Sequence, residues 1–210
     1  MKESKHIKLN IAKWNRWAKS ADGKGRLYEF LRKSQSKVIS LLELKENMSF
    51  LDIGCGTGWA LGQIAKSVNG KGTFYGVELS PKMVEKAKEN FGDDRNFHFI
   101  NSNAESIPLD DNLFDYIICT NSFHHYLHPD KALKEMHRLL KPGAKVYILD
   151  PAADFMLAGI INKIFRLIEP AHVKIYSTKE FKQLFIEAGL NYTGNIKAEG
   201  QKIQVGEKPA

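Results

Sequence analysis

The 210-residue chain predicts an α/β fold, a doubly wound and mostly parallel sheet with helices on both faces. Two observations carry that expectation. A short apolar run (Met48, Phe50, Leu51, Ile53) stops at three glycines spaced two apart, in Leu51-Asp52-Ile53-Gly54-Cys55-Gly56-Thr57-Gly58. An amphipathic segment with Leu61, Ile64, Ala65 and Val68 on one side follows, the pattern of a buried strand, a tight turn and a helix. Strand-like runs around 73–77, 97–100, 113–119 and 145–149, with an amphipathic segment at 131–140, extend the mixed α/β pattern.

Ahead of this region, residues 1–46 read as two amphipathic helices. Ile7, Ile11, Trp14 and Trp17 recur at helical spacing, as do Leu27, Phe30, Leu31, Val38, Leu41 and Leu42, with a link around Ser20-Ala21-Asp22-Gly23-Lys24-Gly25. A second strand, Thr73 to Val77, ends on Glu78, and a third holds Phe97, Phe99 and Ile100. Asp111 to Cys119 reads as a polar turn and a fourth strand. The amphipathic Lys131–Leu140 segment is closed by Pro142-Gly143 before a fifth strand, Lys145 to Leu149. Phe155 to Ile168, closed by Glu169-Pro170, is too apolar for a solvated helix and is expected to roof a pocket or pack in a dimer interface. Ser177 and Glu180 form a capping box opening a helix that Gly189 ends. Asn191–Lys197 and Gln201–Gly206 make a final hairpin around Glu199-Gly200.

The glycine turn points to a nucleotide. Glycine is needed where backbone takes φ > 0 or lies against a ligand, and the helix start beyond it offers unpaired N–H groups. Glu78, twenty residues past Gly58, is placed to grip both hydroxyls of a ribose. The dinucleotide fingerprint fails, because Trp59 or Leu61 stands where its last small residue belongs, and no P-loop Lys-Ser/Thr pair follows.

The G-x-G-x-G spacing behind Asp52 resembles the first motif of the class I S-adenosylmethionine-dependent methyltransferases. From Leu51 to about Leu190 the likeness continues. Asn103-Ala104-Glu105-Ser106-Ile107-Pro108-Leu109 resembles the segment that frames the adenine ring. Ser122-Phe123-His124-His125-Tyr126 and Lys131 to Gly143 are similar to the ubiquinone/menaquinone-biosynthesis-like, small-molecule branch. The resemblance implies a Rossmann-like seven-stranded sheet with an antiparallel last strand, and S-adenosyl-L-methionine as cofactor. The cofactor contacts it implies are Asp52, Gly54, Cys55, Gly56, Gly58, Glu78, Leu79, Met83, Asn103, Ala104, Glu105 and Asn121. In related enzymes a Tyr-Asp follows the segment resembling Trp14 to Ala18. Here Ala21-Asp22 stands instead, which shifts the closing role to Trp17.

The reaction implied is in-line methyl transfer to a small acceptor, a lipophilic one included. His125 is the candidate base, with a structural histidine fixing the loop as its competitor, while His124, His172 and Tyr176 are candidate acceptor contacts. His124, His125 and His128 match no zinc spacing, so no metal is expected.

Residues 1–50 carry twelve Lys/Arg against five Asp/Glu, whereas the remaining 160 carry nineteen of each. That basic segment suits a lid over the 47–210 methyltransferase domain, or a contact with an anionic membrane. A sequence pI of 9.2 raises an RNA methyltransferase as the alternative. The Asn/Asp-Pro-Pro-Tyr/Phe pattern for exocyclic amines is missing, however, which disfavours nucleic acid. A non-catalytic cofactor-binding scaffold is the third reading. The chain has no apolar signal region and no run of about 18 apolar residues. Two cysteines make no disulfide framework, so a cytoplasmic monomer or homodimer, at most peripheral to a membrane, is expected.

Overall fold

In the computed structural model, which describes residues 3–18, 25–169 and 171–210, seven strands form one sheet in the order β3-β2-β1-β4-β5-β7-β6. Third in that order lies β1 (Met48–Ile53), between β2 (Gly72–Glu78) and β4 (Phe114–Thr120). Outward from these lie β3 (Phe97–Asn101) and β5 (Leu140–Asp150), all paired in parallel. The last strand, β7 (Gln201–Glu207), runs antiparallel to β5 and to β6 (Asn191–Ala198). This is the doubly wound, Rossmann-like sheet with an antiparallel last strand. Strand order reverses between β1 and β4, and the crevice beyond their carboxyl ends is where such sheets take ligands.

Alternation along the strands feeds two cores. On β4, Ile117 and Cys119 face one side, while Tyr116 and Ile118 face the other. The first side packs against α5 (Pro129–Leu139) and α7 (Thr178–Glu187) through Leu133, Met136, Phe181 and Phe185. The second packs against α2 (Arg26–Ile39), α3 (Trp59–Ser67) and α4 (Pro81–Phe91) through Val38, Leu61, Ile64 and Val84. The Ser80 hydroxyl caps α4 by accepting from the Met83 N–H, and the capping box at Ser177 and Glu180 opens α7. Among the described residues two further α-helices are α1 (Glu3–Ala18) and α6 (Ala158–Ile168).

One boundary differs from the sequence reading. β5 starts at Leu140, ahead of Pro142-Gly143, because pairing jumps from Phe114↔Leu140 to Tyr116↔Lys145. The Pro-Gly turn, with Gly143 at φ 74°, is a bulge inside the strand and not a break before it. Most of the link at Ser20–Gly25, including Ala21-Asp22, lies outside the described residues, as does Pro170. No helix among the described residues is long and apolar enough to cross a membrane.

Candidate active site

Gly54, Gly56 and Gly58 take φ of 80°, 54° and 80°, so the turn from β1 into α3 is left-handed at every second residue. The N–H groups of Gly54 and Cys55 donate to the Val77 carbonyl at 2.8 and 3.2 Å, stitching the turn to β2. The three glycines are glycine for different reasons. A Cβ at Gly54 would sit 2.3 Å from Ser122 Oγ, and one at Gly58 would sit 2.7 Å from Phe91 Cε2. At Gly56 a Cβ meets nothing within 4 Å, because the turn opens there onto a cavity.

Two buried carboxyls flank this turn. Glu78 accepts from the Gly56 N–H at 3.2 Å and from the Ser80 N–H at 2.8 Å, one bond to each oxygen. A carboxylate has about four lone-pair sites, so these two bonds leave room for a ligand to donate. Asp52 is fully buried, and neither of its oxygens has a partner among the described residues. Burial first, and the charge of Glu78 second, push its pKa up to about 8.

The cavity above has a volume of about 1100 Å³. It brings together Gly54, Cys55, Gly56, Glu78, Leu79, Met83, Asn103, Ala104, Glu105, Asn121, His125 and Trp17, all expected from the sequence. Gly58 and Asp52 support the turn without lining the cavity. Asn121, at φ 54°, accepts from Gln201 Nε2, while its own Nδ2 is buried without a partner among the described residues.

His6, Asn10, Trp14 and Tyr28 also line the cavity and were missed. The signal was present, since 6, 10, 14 and 17 form one helical stripe, but its polar members do not look like a buried face. His6 Nε2–H donates to the His125 carbonyl at 2.8 Å, and the Trp14 ring meets the His125 ring at 5.6 Å, edge-on. Asn15 Oδ1 accepts from Ser80 Oγ at 2.7 Å, while Lys13 forms an ion pair with Glu169. Helix α1 therefore roofs the crevice and touches both sides of it.

The histidines divide. His125 donates Nδ1–H to the Ala171 carbonyl at 3.0 Å, and its Nε2 lies 3.5 Å from Glu169. Burial, followed by the nearby charges of His124 and Lys13, drives its pKa down to about 2. His124 pairs with Asp150 at 2.8 Å; burial opposes its protonation, but the carboxylate carries the pKa upward overall. His124, His172 and Tyr176 are not brought to the cavity wall. The N–H groups of Val173 and Lys174 donate to the His124 carbonyl, so this segment packs behind the loop after β4. His172 meets Asn162 at 3.2 Å, and Tyr176 is buried against Phe123 and Phe181.

The methyltransferase domain family model matches residues 51–148, the span from the glycine turn to β5. A demethylmenaquinone methyltransferase of Staphylococcus epidermidis is 31% identical over 190 residues, covering 77% of this chain and 78% of its own length. The chain is a class I S-adenosylmethionine-dependent methyltransferase. It belongs to the menaquinone/ubiquinone-like branch and transfers a methyl group from S-adenosylmethionine to a small molecule. A methyltransferase from Aquifex aeolicus superposes with a TM-score of 0.71 at 27% identity, covering 92% of this chain and 97% of that one. A geranyl diphosphate methyltransferase, at a TM-score of 0.79 and 12% identity over 97% of this chain and 99% of its own, shares the fold. The methyltransferase's own site fits the cofactor. Beside the turn stand the Asp52 carboxyl and the Asn121 amide nitrogen, both buried without a partner among the described residues, with open space over Gly56.

Proposed function

We propose that this methyltransferase acts on the reduced, electron-rich ring of a demethylated quinone, adding the methyl at a ring carbon whose proton is released to solvent as the ring regains its aromaticity. The relatives' names support the quinone class. The observation that carries the reading is the aromatic roof: Trp14 and Trp17, 5.5 Å apart, with Tyr28 5.7 Å from Trp17, over a cavity larger than a nucleoside cofactor requires. The hydroquinone is the competent form, because the electron-poor quinone is a weak carbon nucleophile.

The open stretch of the turn, Gly54 to Gly56, holds the amino-acid end of the cofactor with Asn121 beside it, while Asp52 and Gly58 support the turn from behind. Glu78 holds the ribose hydroxyls. Leu79, Met83 and the Asn103-Ala104-Glu105 segment frame the adenine. When bound, S-adenosylmethionine supplies an electrophilic sulfonium methyl. The chain's task is then alignment and exclusion of water, which α1 and α2 perform as a lid. Trp17 closes over the cofactor and Trp14 over the acceptor. For His125 the geometry supports the second of its two expected roles. Its Nδ1–H is engaged and its pKa lies far below neutrality, so it fixes the loop and presents a wall. His124, His172 and Tyr176 support that loop from behind and lie away from the acceptor.

The test is methyl transfer from a tritiated donor to a short-chain demethylmenaquinol, its oxidised quinone, and RNA. Label entering the organic phase only with the quinol is expected. Transfer to RNA alone, or equal rates with the oxidised ring, overturns the reading.

A further inference from the structure

The apolar run of residues 155–168 does not roof the cavity. Helix α6 and the residues leading into it turn it outward, with Met156, Leu157, Ile160, Ile164, Leu167 and Ile168 each at least 50% exposed. The helix is inverted relative to an ordinary surface helix, since polar side chains hold it to the protein. The Asn162 amide donates to the Ile175 carbonyl and accepts from the Ile175 N–H, and Arg166 Nε donates to the Val173 carbonyl. Contiguous apolar exposure of this kind marks an interaction surface.

Charge says which partner it fits. Residues 155–168 contain Lys163 and Arg166 and no acid. Helix α1, clamped beside the end of α6 by the Lys13–Glu169 pair, exposes Lys5, Lys8 and Arg16 opposite its cavity stripe. Two copies meeting through α6 would bring like charges together, whereas an anionic lipid surface would neutralise them. We infer that α6 inserts its apolar face into the headgroup layer of an anionic bilayer, with the basic stripe of α1 resting on the lipid phosphates. The sequence offers the tryptophan-bearing segment as a lid or a membrane contact; its tryptophans face the cavity, and the exposed apolar side chains are those of α6. Given the lipophilic acceptor proposed above, the lid and its clamp would meet substrate at the membrane. The lipid binding itself needs no acceptor.

The test is co-sedimentation of the intact chain with vesicles of phosphatidylglycerol and phosphatidylcholine, against phosphatidylcholine alone, without acceptor or methyl donor. Binding to the anionic vesicles that weakens with salt is expected. Ile164→Glu with Leu167→Glu should lower partitioning at least about tenfold. Lys5→Glu with Lys8→Glu and Arg16→Glu should lower it and abolish the salt dependence. Both variants should keep wild-type affinity for S-adenosylmethionine, which certifies their fold. Absence of vesicle binding by the wild type, or unchanged binding by the α6 variant, overturns the inference. So does a lipid-free dimer that Leu167→Glu dissociates, which would assign the face to a second copy. Failure of quinol methylation with intact vesicle binding would strike the acceptor reading alone.

Discussion

Gly56 and Glu78, which meet below the cavity, are 22 residues apart; His6 and the His125 carbonyl, which meet above it, are 119 apart. The lower contacts come from backbone N–H groups and two carboxyls fixed by neighbouring parallel strands. The upper ones come from side chains of a helix that reaches back over the sheet. A nucleoside cofactor always presents an ammonium, a carboxylate and two hydroxyls, so its half of the site reduces to a short local pattern. An acceptor ring presents mainly shape, and shape is met by aromatic surface from wherever the chain can supply it. This contrast makes the two halves separable by experiment.

Asp52 should give the largest response. Folded, it holds a proton up to pH about 8; at its ordinary value of 3.8 the unfolded chain has already lost it. The folded state binds the extra proton in this window, so stability falls as pH rises through it. Asp52→Asn should therefore gain up to about 4 kcal/mol at pH 7 in urea midpoints. A variant with no gain at neutral pH would show that the carboxyl is ionised and paired when folded.

Glu78→Ala should weaken S-adenosylmethionine about 100-fold in calorimetric titration, roughly 3 kcal/mol, because it removes the acceptors proposed for the ribose and the partner of the Gly56 N–H. Gly56→Val should match it with a smaller loss of stability than Gly58→Val, whose side chain is driven into Phe91. If Gly56→Val binds normally, the open face of the turn is not where the cofactor lies.

His125 comes next. Its folded pKa of about 2 lies below the ordinary 6.5, so unfolding takes up a proton below pH 6.5 and stability falls as pH falls. From pH 7 to 5 the wild type should lose about 2 kcal/mol more than His125→Asn, whose amide can still donate to Ala171. Equal slopes would return the residue to candidacy as a base. The smallest effect belongs to the roof. Trp14→Ala should raise the acceptor KM about tenfold, near 1.4 kcal/mol, and leave cofactor affinity within about threefold. A parallel loss of both would merge the two halves that the geometry separates.

Legibility in the sequence followed the same line. The strand–turn–helix at Leu51–Gly58, the acid at Glu78 and the capping box at Ser177 were readable because each is a local rule of backbone conformation or spacing. The hairpin before Glu207 was readable for the same reason, but the bulge at Pro142-Gly143 was not, since an inserted turn and a strand break look alike until the partner strand sets the register. His172 and Tyr176 looked like acceptor contacts because they are polar, aromatic and beyond the last parallel strand. They sit behind the loop because the chain hydrogen-bonds to the His124 carbonyl there.

From its residue order alone, then, this chain announced the cofactor and the sheet that holds it, since periodicity and glycine spacing act over a few residues. Tertiary packing settled the rest. It turned the tryptophans of α1 inward, withdrew His124 to Asp150, and left the apolar face of α6 bare, because no local pattern records which surface a helix will find to cover.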